Sequence, residues 1–195
     1  MRFRNDRLAV RGRTVGVVLF TVLFALLLAM PAGAASVDPK TLVLARSDLP
    51  AGYRLARDES GLRTNEQESK DSREARELVV RSGRLTGYEA TWGKPGIIAQ
   101  SRADLCRRPS GARILFDFVV QEMRTSGIRG LRRAPAGVGA ESWIYSGGDS
   151  QVSGFALVVW RYDRVFAGIV GIGLTKTLAL ELARKQQRRV ARALG

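Results

Sequence analysis

The chain has 195 residues and a formal charge of +14 at pH 7, from 32 basic and 18 acidic side chains. It contains no histidine, which excludes Ser-His-Asp and Cys-His catalytic systems and every zinc site that uses an imidazole ligand. Cys106 is the single cysteine, so no intramolecular disulfide can form. The sequence also lacks nucleotide-binding and nucleophile motifs, and it therefore predicts no catalytic residue, no metal site and no cofactor.

The first 35 residues have the pattern of an export signal. Five arginines precede an apolar run at residues 14–30, and small side chains follow at Ala32 and Ala34, where a signal peptidase can cut. The run is long for a cleaved signal and short for a membrane span, so cleavage and retention both stay open. We predict that residues 1–35 are a signal peptide or membrane anchor. Residues 36–195 then form one domain that is secreted, or extracytoplasmic and tethered through residues 14–30.

Turn and capping residues divide the first half of this domain. Asp38 and Pro39 suit the start of a helix, Gly83 suits the end of one, and a turn is expected between Gly93 and Gly96. In chain order we expect a short helix at residues 37–45, a strand at 53–56 and a solvated polar stretch at 57–70. A helix follows at 66–82, and its first turn overlaps the polar stretch. Two strands are then expected at 85–92 and 97–105.

Hydrophobic periodicity defines the second half. Apolar residues recur at helical spacing over residues 112–125, with charged residues on the opposite side. Short strands are expected at residues 128–133, 142–145, 154–162 and 165–172, and a helix capped by Thr175 at 174–194. These elements predict an α+β fold, in which a curved antiparallel β-sheet packs against helices and the apolar N-terminal helix precedes it.

The last predicted helix combines an apolar stripe with a set of cations. These cations are Arg184, Lys185, Arg188, Arg189 and Arg192. Such a helix can bind anionic lipid or a polyanion, or it can pack its stripe on the sheet and leave the cations in solvent, which we favour. A second basic set consists of Arg124, Arg129, Arg132 and Arg133. If both sets share one face, phosphate-rich polymers become partners, although no specific nucleic-acid signal is present.

Acid–base chemistry without histidine requires two carboxylates at a fixed separation, as in glycoside hydrolysis. The candidates are Glu89, Asp104, Asp117 and Glu141. None of them stands in a sequence context that marks a catalytic acid, so ordinary surface charge is the favoured interpretation. A carboxylate-only hydrolase is kept as an alternative.

Cys106 and the strand aromatics each allow a structural and a functional interpretation. Cys106 is interpreted as a small buried hydrophobe, because a reactive thiol would lack a base or a resolving cysteine. The aromatic residues on strands or their edges are Tyr53, Tyr88, Trp92, Trp143, Tyr145, Trp160 and Tyr162. We expect them to build the core, with a ligand cleft between sheet and helices as the alternative.

Four short motifs carry a resemblance to known proteins. They are DLPAGY at residues 48–53, GYEATW at 87–92, GAES at 139–142 and VVWRY at 158–162. With them the chain resembles a loose group of exported, uncharacterised bacterial envelope proteins. The order of its elements is also similar to the PsbP-like α/β/α sandwich, without the lipid-anchoring cysteine of some envelope lipoproteins. The resemblance implies a binding or accessory module and no catalytic residues.

Together these observations predict an exported, non-enzymatic envelope domain that binds an unknown ligand or protein. One alternative is a peripheral binder of anionic lipid surfaces or polymers through the basic C-terminal helix. The other alternative is the carboxylate-only hydrolase.

Overall fold

Eight strands and four α-helices lie within the residues that this computed structural model describes, which are 37–70, 72–147 and 154–195. The strands are β1 (Arg54–Leu55), β2 (Gly61–Arg63), β3 (Arg84–Lys94), β4 (Ile97–Cys106), β5 (Leu131–Pro135), β6 (Glu141–Gly147), β7 (Phe155–Tyr162) and β8 (Val165–Ile172). The helices are α1 (Asn65–Ser69), α2 (Arg73–Ser82), α3 (Pro109–Thr125) and α4 (Lys176–Leu194), and 3-10 turns occupy Pro39–Leu42, Arg46–Asp48 and Arg57–Glu59. The predicted leader, residues 1–35, lies outside the described residues. None of the described helices is long and apolar enough to cross a membrane.

The strands form one antiparallel sheet in the order β1-β3-β4-β8-β7-β6-β5, and β2 pairs with β3 on the same edge as β1. The β3–β4 hairpin turns at Pro95 and Gly96, and the β7–β8 hairpin turns at Asp163 and Arg164. Gly96 and Asp163 have φ values of 73° and 48°. Glycine adopts this left-handed region without steric cost and aspartate tolerates it, so the turn residues are matched to the hairpins.

The sheet separates two apolar cores. On one side, which we call the α4 face, α4 and the N-terminal 3-10 turns cover small residues such as Ala99 and Ala103. On the other side, which we call the cavity face, α2 and α3 pack against Leu157, Val159 and Phe166. Successive side chains of a strand point to opposite faces. The predicted α+β fold is thus confirmed, with helices on both sides of the sheet.

A buried polar network joins three elements on the α4 face. The Ser101 hydroxyl accepts a hydrogen bond from the Leu44 N–H at 3.0 Å and donates one to the Gln186 side chain at 2.9 Å. Gln186 in turn donates to the Arg102 carbonyl at 2.9 Å. An unpaired buried polar group costs about 1–3 kcal/mol, so this network favours one placement of α4 and the N-terminal segment on β4.

Caps and a close approach position the helices on the cavity face. The Ser72 hydroxyl accepts from the Ala75 N–H at 2.9 Å, and Gly83, with φ of 58°, ends α2. In the first turn of α3, Gly111 lies against the carbonyl oxygen of Ser82, where a Cβ atom would overlap. The missing side chain therefore lets the end of α2 lie beside the start of α3, and both helices cover the same part of the sheet.

Two predicted elements of the N-terminal half were wrong in detail, and a third region, which is solvated as predicted, contains an unexpected strand. The helix predicted at residues 66–82 is two helices, because Ser72 caps a new one. The polar stretch at 57–70 contains β2, whose main chain pairs with β3 and which therefore needs no apolar alternation. The helix predicted at 37–45 is a 3-10 turn, although Asp38 caps it as expected by accepting from the Lys40 N–H at 2.9 Å.

Candidate functional site

A cavity of about 360 Å³, partly open to solvent, lies on the cavity face between the sheet and helices α2 and α3. Its helical wall consists of Ala75, Leu78, Val79, Leu115, Phe118 and Val119. Its apolar sheet wall consists of Leu157, Val159, Phe166, Gly168 and Val170. Concave, mainly apolar pockets with a few polar groups are typical of small-molecule sites, and the volume falls in their usual range.

Gly168 provides depth at the middle of this cavity. It lies on β8 between Arg102 of β4 and Val159 of β7, and all three residues line the cavity. A side chain at position 168 would project into the space that the cavity now occupies. Glycine is disfavoured inside strands unless another group approaches closely, so its presence here favours a binding role for the space above it.

One end of the cavity is closed by a buried ion pair between Arg84 and Asp104. The Arg84 Nε atom donates to Asp104 at 2.6 Å, and both side chains are 2% exposed. The remaining guanidinium donors of Arg84 bind the Asn65 side chain at 2.7 Å and the Arg63 carbonyl at 2.8 Å. Gly87 faces this pair, and a Cβ at position 87 would overlap both partners. Arg84 is thus held by three residues and acts as a fixed wall.

Arg102 joins this ion pair to the open part of the cavity. Its Nε atom donates to Asp104 at 2.8 Å, and its Nη2 atom lies 2.8 Å from Glu68 of α1. Glu89 of β3 contributes the third carboxylate, which is held by Arg63 at 2.5 Å. Burial by itself lowers the pKa of the Arg102 guanidinium. The charges of Asp104 and Glu68 and their hydrogen bonds outweigh burial and raise that pKa above its ordinary value.

Cys106 lies at the end of β4, beneath α3, and is fully buried. Burial raises the pKa of its thiol to about 12, the charge of Asp104 adds to the rise, and Arg84 opposes it. A thiol reacts as its thiolate, so this environment keeps Cys106 unreactive near neutral pH. It packs as the small hydrophobe that we expected.

The structure separates the four predicted carboxylates. Glu89 and Asp104 line the cavity, while Asp117 and Glu141 are not among its lining residues. Asp117 pairs with Arg113 on the surface of α3 at 3.6 Å, and Glu141 pairs with Arg161 at 3.0 Å. The two predicted carboxylates that line the cavity both accept hydrogen bonds from arginines. This arrangement favours a fixed binding wall over a pair of acid–base catalysts.

The cations of α4 divide into two groups. Lys185 and Arg189 fold back onto the N-terminal segment: Lys185 donates to the Asp48 carbonyl at 2.9 Å, and Arg189 pairs with the Asp48 carboxylate at 3.3 Å. Arg184, Arg188 and Arg192 are exposed. The apolar side of α4 packs on the sheet, as favoured from the sequence. Arg124 lies on α3, which covers the opposite face of the sheet, so this member of the second basic set does not share a surface with the cations of α4.

The seven strand aromatics do not line this cavity. Tyr53, Tyr145 and Trp160 are buried in the two cores, as expected. Tyr88 and Trp92 line a second cavity of about 350 Å³ beside the N-terminal segment on the α4 face. The indole N–H of Trp92 is buried and has no hydrogen-bond partner among the described residues.

Sequence reasoning missed Glu68, Arg84, Gln100 and Arg102 as site residues. A signal was present in β4, where Gln100, Arg102 and Asp104 alternate with Ala99, Ser101 and Ala103. Charged residues on one side of a strand that lies inside a sheet must face a partner or a cavity. Arg84 and Glu68 could not be found in this way, because only the register of β3 and the fold of α1 bring them to β4.

No family model and no curated relative matches this sequence. In fold, the chain is similar to the extracellular domain of PknH from Mycobacterium tuberculosis. The two structures superpose with a TM-score of 0.51 at 10% sequence identity, over 83% of this chain and 98% of that chain. At this identity the likeness concerns the fold alone, and the predicted likeness to PsbP-like sandwiches stays a prediction.

Proposed function

We propose that this protein is an exported domain that binds a small amphipathic molecule in the cavity of about 360 Å³ between α2, α3 and the sheet. The observation that carries the proposal is the combination of apolar walls with one charged, hydrogen-bonded end. An apolar part of the ligand replaces water along the walls, and a polar part meets Arg102 and Glu89.

Export is part of the same proposal. Residues 1–35 have a basic head, an apolar run and small residues, which are the features of a secretory signal. The likeness in fold to an extracellular domain supports the same location. A ligand-binding accessory role, as in the envelope proteins that the chain resembles, fits these features.

Ligand binding fits the site better than hydrolysis does. Hydrolysis by two carboxylates requires one group to give a proton and the other to attack or to activate water. In this cavity Asp104 is bound by Arg84 and Arg102, and Glu89 is bound by Arg63. These contacts hold the carboxylates in place.

A neutral fluorescent probe tests the cavity. We expect N-phenyl-1-naphthylamine to bind the domain and to increase in fluorescence, because the apolar walls exclude water from it. Gly168→Val places two methyl groups in the cavity, and the new Cβ would make only ordinary contacts, 3.4 Å from the Val158 carbonyl oxygen and 3.7 Å from Val159. The affinity of the Gly168→Val variant for the probe is expected to be lower than that of the wild type by about tenfold or more.

Gly93→Val is the matched control, since Gly93 is also a strand glycine with room for a Cβ but is not among the cavity-lining residues. It is expected to leave probe binding unchanged, and circular dichroism checks the folding of both variants. Absence of probe binding to the wild type, or equal affinity of the Gly168→Val variant, contradicts the proposed function.

A second candidate function is peripheral binding to anionic lipid surfaces. It is favoured by the exposed row of Arg184, Arg188 and Arg192 on α4. Residues four apart on a helix are neighbours, so these three cations form one stripe. Lys185 and Arg189 are excluded from it by their contacts with Asp48.

Vesicle co-sedimentation tests this stripe with phosphatidylglycerol-containing and purely phosphatidylcholine vesicles. Binding to the anionic vesicles at low salt is expected to disappear at high salt and in a variant with Arg184, Arg188 and Arg192 changed to Gln. In the charge-matched control, Arg81, Arg107 and Arg108 are changed to Gln. These three arginines are exposed and lie outside α4. Equal binding by both triple variants rules out a specific stripe.

A further inference from the structure

The charges around the polar end of the cavity are balanced. Three guanidinium groups, those of Arg63, Arg84 and Arg102, face three carboxylates, those of Glu68, Glu89 and Asp104. Each of these groups already has a partner of opposite charge. A charged ligand group buried here would lack a counter-ion of its own, and burying an unpaired charge costs several kcal/mol.

Among the polar atoms at this end, two neighbouring ones have no hydrogen bond to any described residue. They are Nη1 of Arg102 and Oε2 of Glu89, which lie 4.0 Å apart on two side chains that line the cavity. This separation is too long for a hydrogen bond. One oxygen atom placed about 2.8 Å from both of them would bridge the pair.

The bridging atom must accept a hydrogen bond from the guanidinium and donate one to the carboxylate. A hydroxyl group does both, whereas an ionised carboxylate only accepts and an ammonium group only donates. Gln100 lines the cavity on the same side of β4 as Arg102. Its amide offers one more donor and one more acceptor to a second hydroxyl.

Resting on the proposed function, we infer that the ligand is an uncharged amphiphile with a hydroxyl head. The hydroxyl binds between Arg102 and Glu89, and the apolar tail lies over Gly168 against Val159 and Val170. The chemistry that the site selects is therefore that of a fatty alcohol or an acylglycerol, as opposed to a fatty acid or an alkyl amine.

Three ligands with one decyl-length tail test this inference: monodecanoylglycerol, decanoate and decylammonium. Each displaces bound N-phenyl-1-naphthylamine in a titration kept below its micelle concentration. We expect monodecanoylglycerol to bind about tenfold more tightly than either charged ligand, because only its hydroxyl can both accept from Arg102 and donate to Glu89. Equal or tighter binding of a charged ligand overturns the inference. In that case the proposed function stands, because the probe and a ligand still bind. A wild type that never binds the probe contradicts both the proposed function and this inference.

A single substitution tests the role of Glu89. In Glu89→Gln the side chain can donate as well as accept, and Arg63 loses its counter-charge, so we expect the affinity for decanoate to rise and that for monodecanoylglycerol to fall. The control is Glu141→Gln, which removes a carboxylate paired with Arg161 outside the cavity. It should leave both affinities unchanged. Circular dichroism and urea denaturation identify folded Glu89→Gln protein, and unchanged or parallel affinities in that folded protein contradict the assigned contact.

Discussion

On the α4 face, β4 presents Ala99, Ser101 and Ala103, all of which are completely buried beneath α4 and the N-terminal segment. On the cavity face, the same strand presents Gln100, Arg102 and Asp104. Small side chains let a helix pack closely on the sheet. Long charged side chains that pair with one another stand between the sheet and the helices and leave space beside them. One strand thereby supports a dense core on one side and an open cavity on the other.

The polar groups of the two faces also differ in kind. On the α4 face, β4 uses neutral partners, Ser101 and Gln186, whose hydrogen bonds end at backbone groups. The cavity face uses full charges, in which Arg102 links Asp104 with Glu68. The neutral network holds the N-terminal segment, β4 and α4 together, and it presents nothing to a ligand. The charged network at the end of the open cavity fixes the positions of its own side chains. It still leaves polar atoms that can form hydrogen bonds with a ligand.

The largest expected effect concerns the charged network. Arg84→Leu removes one of the two arginine partners of the buried Asp104 and should lower the free energy of unfolding by about 3–5 kcal/mol, because Asp104 then keeps only the partly exposed Arg102 as its counter-charge. Arg73→Leu is the control, since Arg73 pairs with Glu77 on the surface and is 92% exposed; it should change stability little. Urea denaturation measures both. Similar losses of unfolding free energy in both variants would show that the ion pair of Arg84 and Asp104 is solvated. They would contradict the contrast between the two faces.

A matched pair of leucines compares packing on the two faces. Leu182 of α4 is 0% exposed in the dense core, and Leu115 of α3 is 7% exposed and borders the cavity. Leu→Ala substitutions in cores cost about 2–5 kcal/mol, depending on how far the neighbouring side chains can close the space that the substitution leaves. We expect Leu182→Ala to lie near the top of this range and Leu115→Ala near the bottom. Equal losses in urea denaturation would mean that the cavity face is packed as densely as the α4 face.

The smallest effect, when measured up to about pH 10, is a dependence on pH that reports on Cys106. Because burial raises the folded thiol pKa to about 12, the unfolded thiol ionises first, and folded stability is lost as the pH rises from about 9 towards about 12. Relative to Cys106→Ala, the wild type should lose up to about 1.4 kcal/mol of unfolding free energy per pH unit in this window, and nothing below it. A constant difference between neutral pH and about pH 10 would indicate that water reaches the thiol.

Local patterns in the sequence were sufficient for much of the fold. The β7–β8 hairpin was predicted because two apolar runs flank a short polar turn, and β8 has the predicted bounds. The cap of α4 was also predicted, since the Thr175 hydroxyl accepts from the Leu178 N–H at 3.2 Å. By contrast, β2 has three residues without alternation and exists through its pairing with β3. Short edge strands depend on tertiary contacts that no local pattern contains.

The candidate site could be predicted only in part. Glu89 and Asp104 were named from the sequence as carboxylates, yet their partners Arg63 and Arg84 were not. The distance along the chain is the reason: Arg84 and Asp104 are 20 residues apart, and the hairpin register brings them together. The cavity itself follows from where α2 and α3 lie on the sheet. That placement depends on the contact of Gly111 with Ser82, which sequence periodicity does not show.

Both edges of the sheet offer little to another strand. On one edge, β1 and β2 have two and three residues. On the other, β5 exposes Arg132 and Arg133 and ends at Pro135, which has no N–H to donate. A second copy adding to β5 would bring arginines together and lose a ladder hydrogen bond, so edge-to-edge aggregation is discouraged even in concentrated solution. Newly synthesised chains that fold at high local density would gain most from this protection.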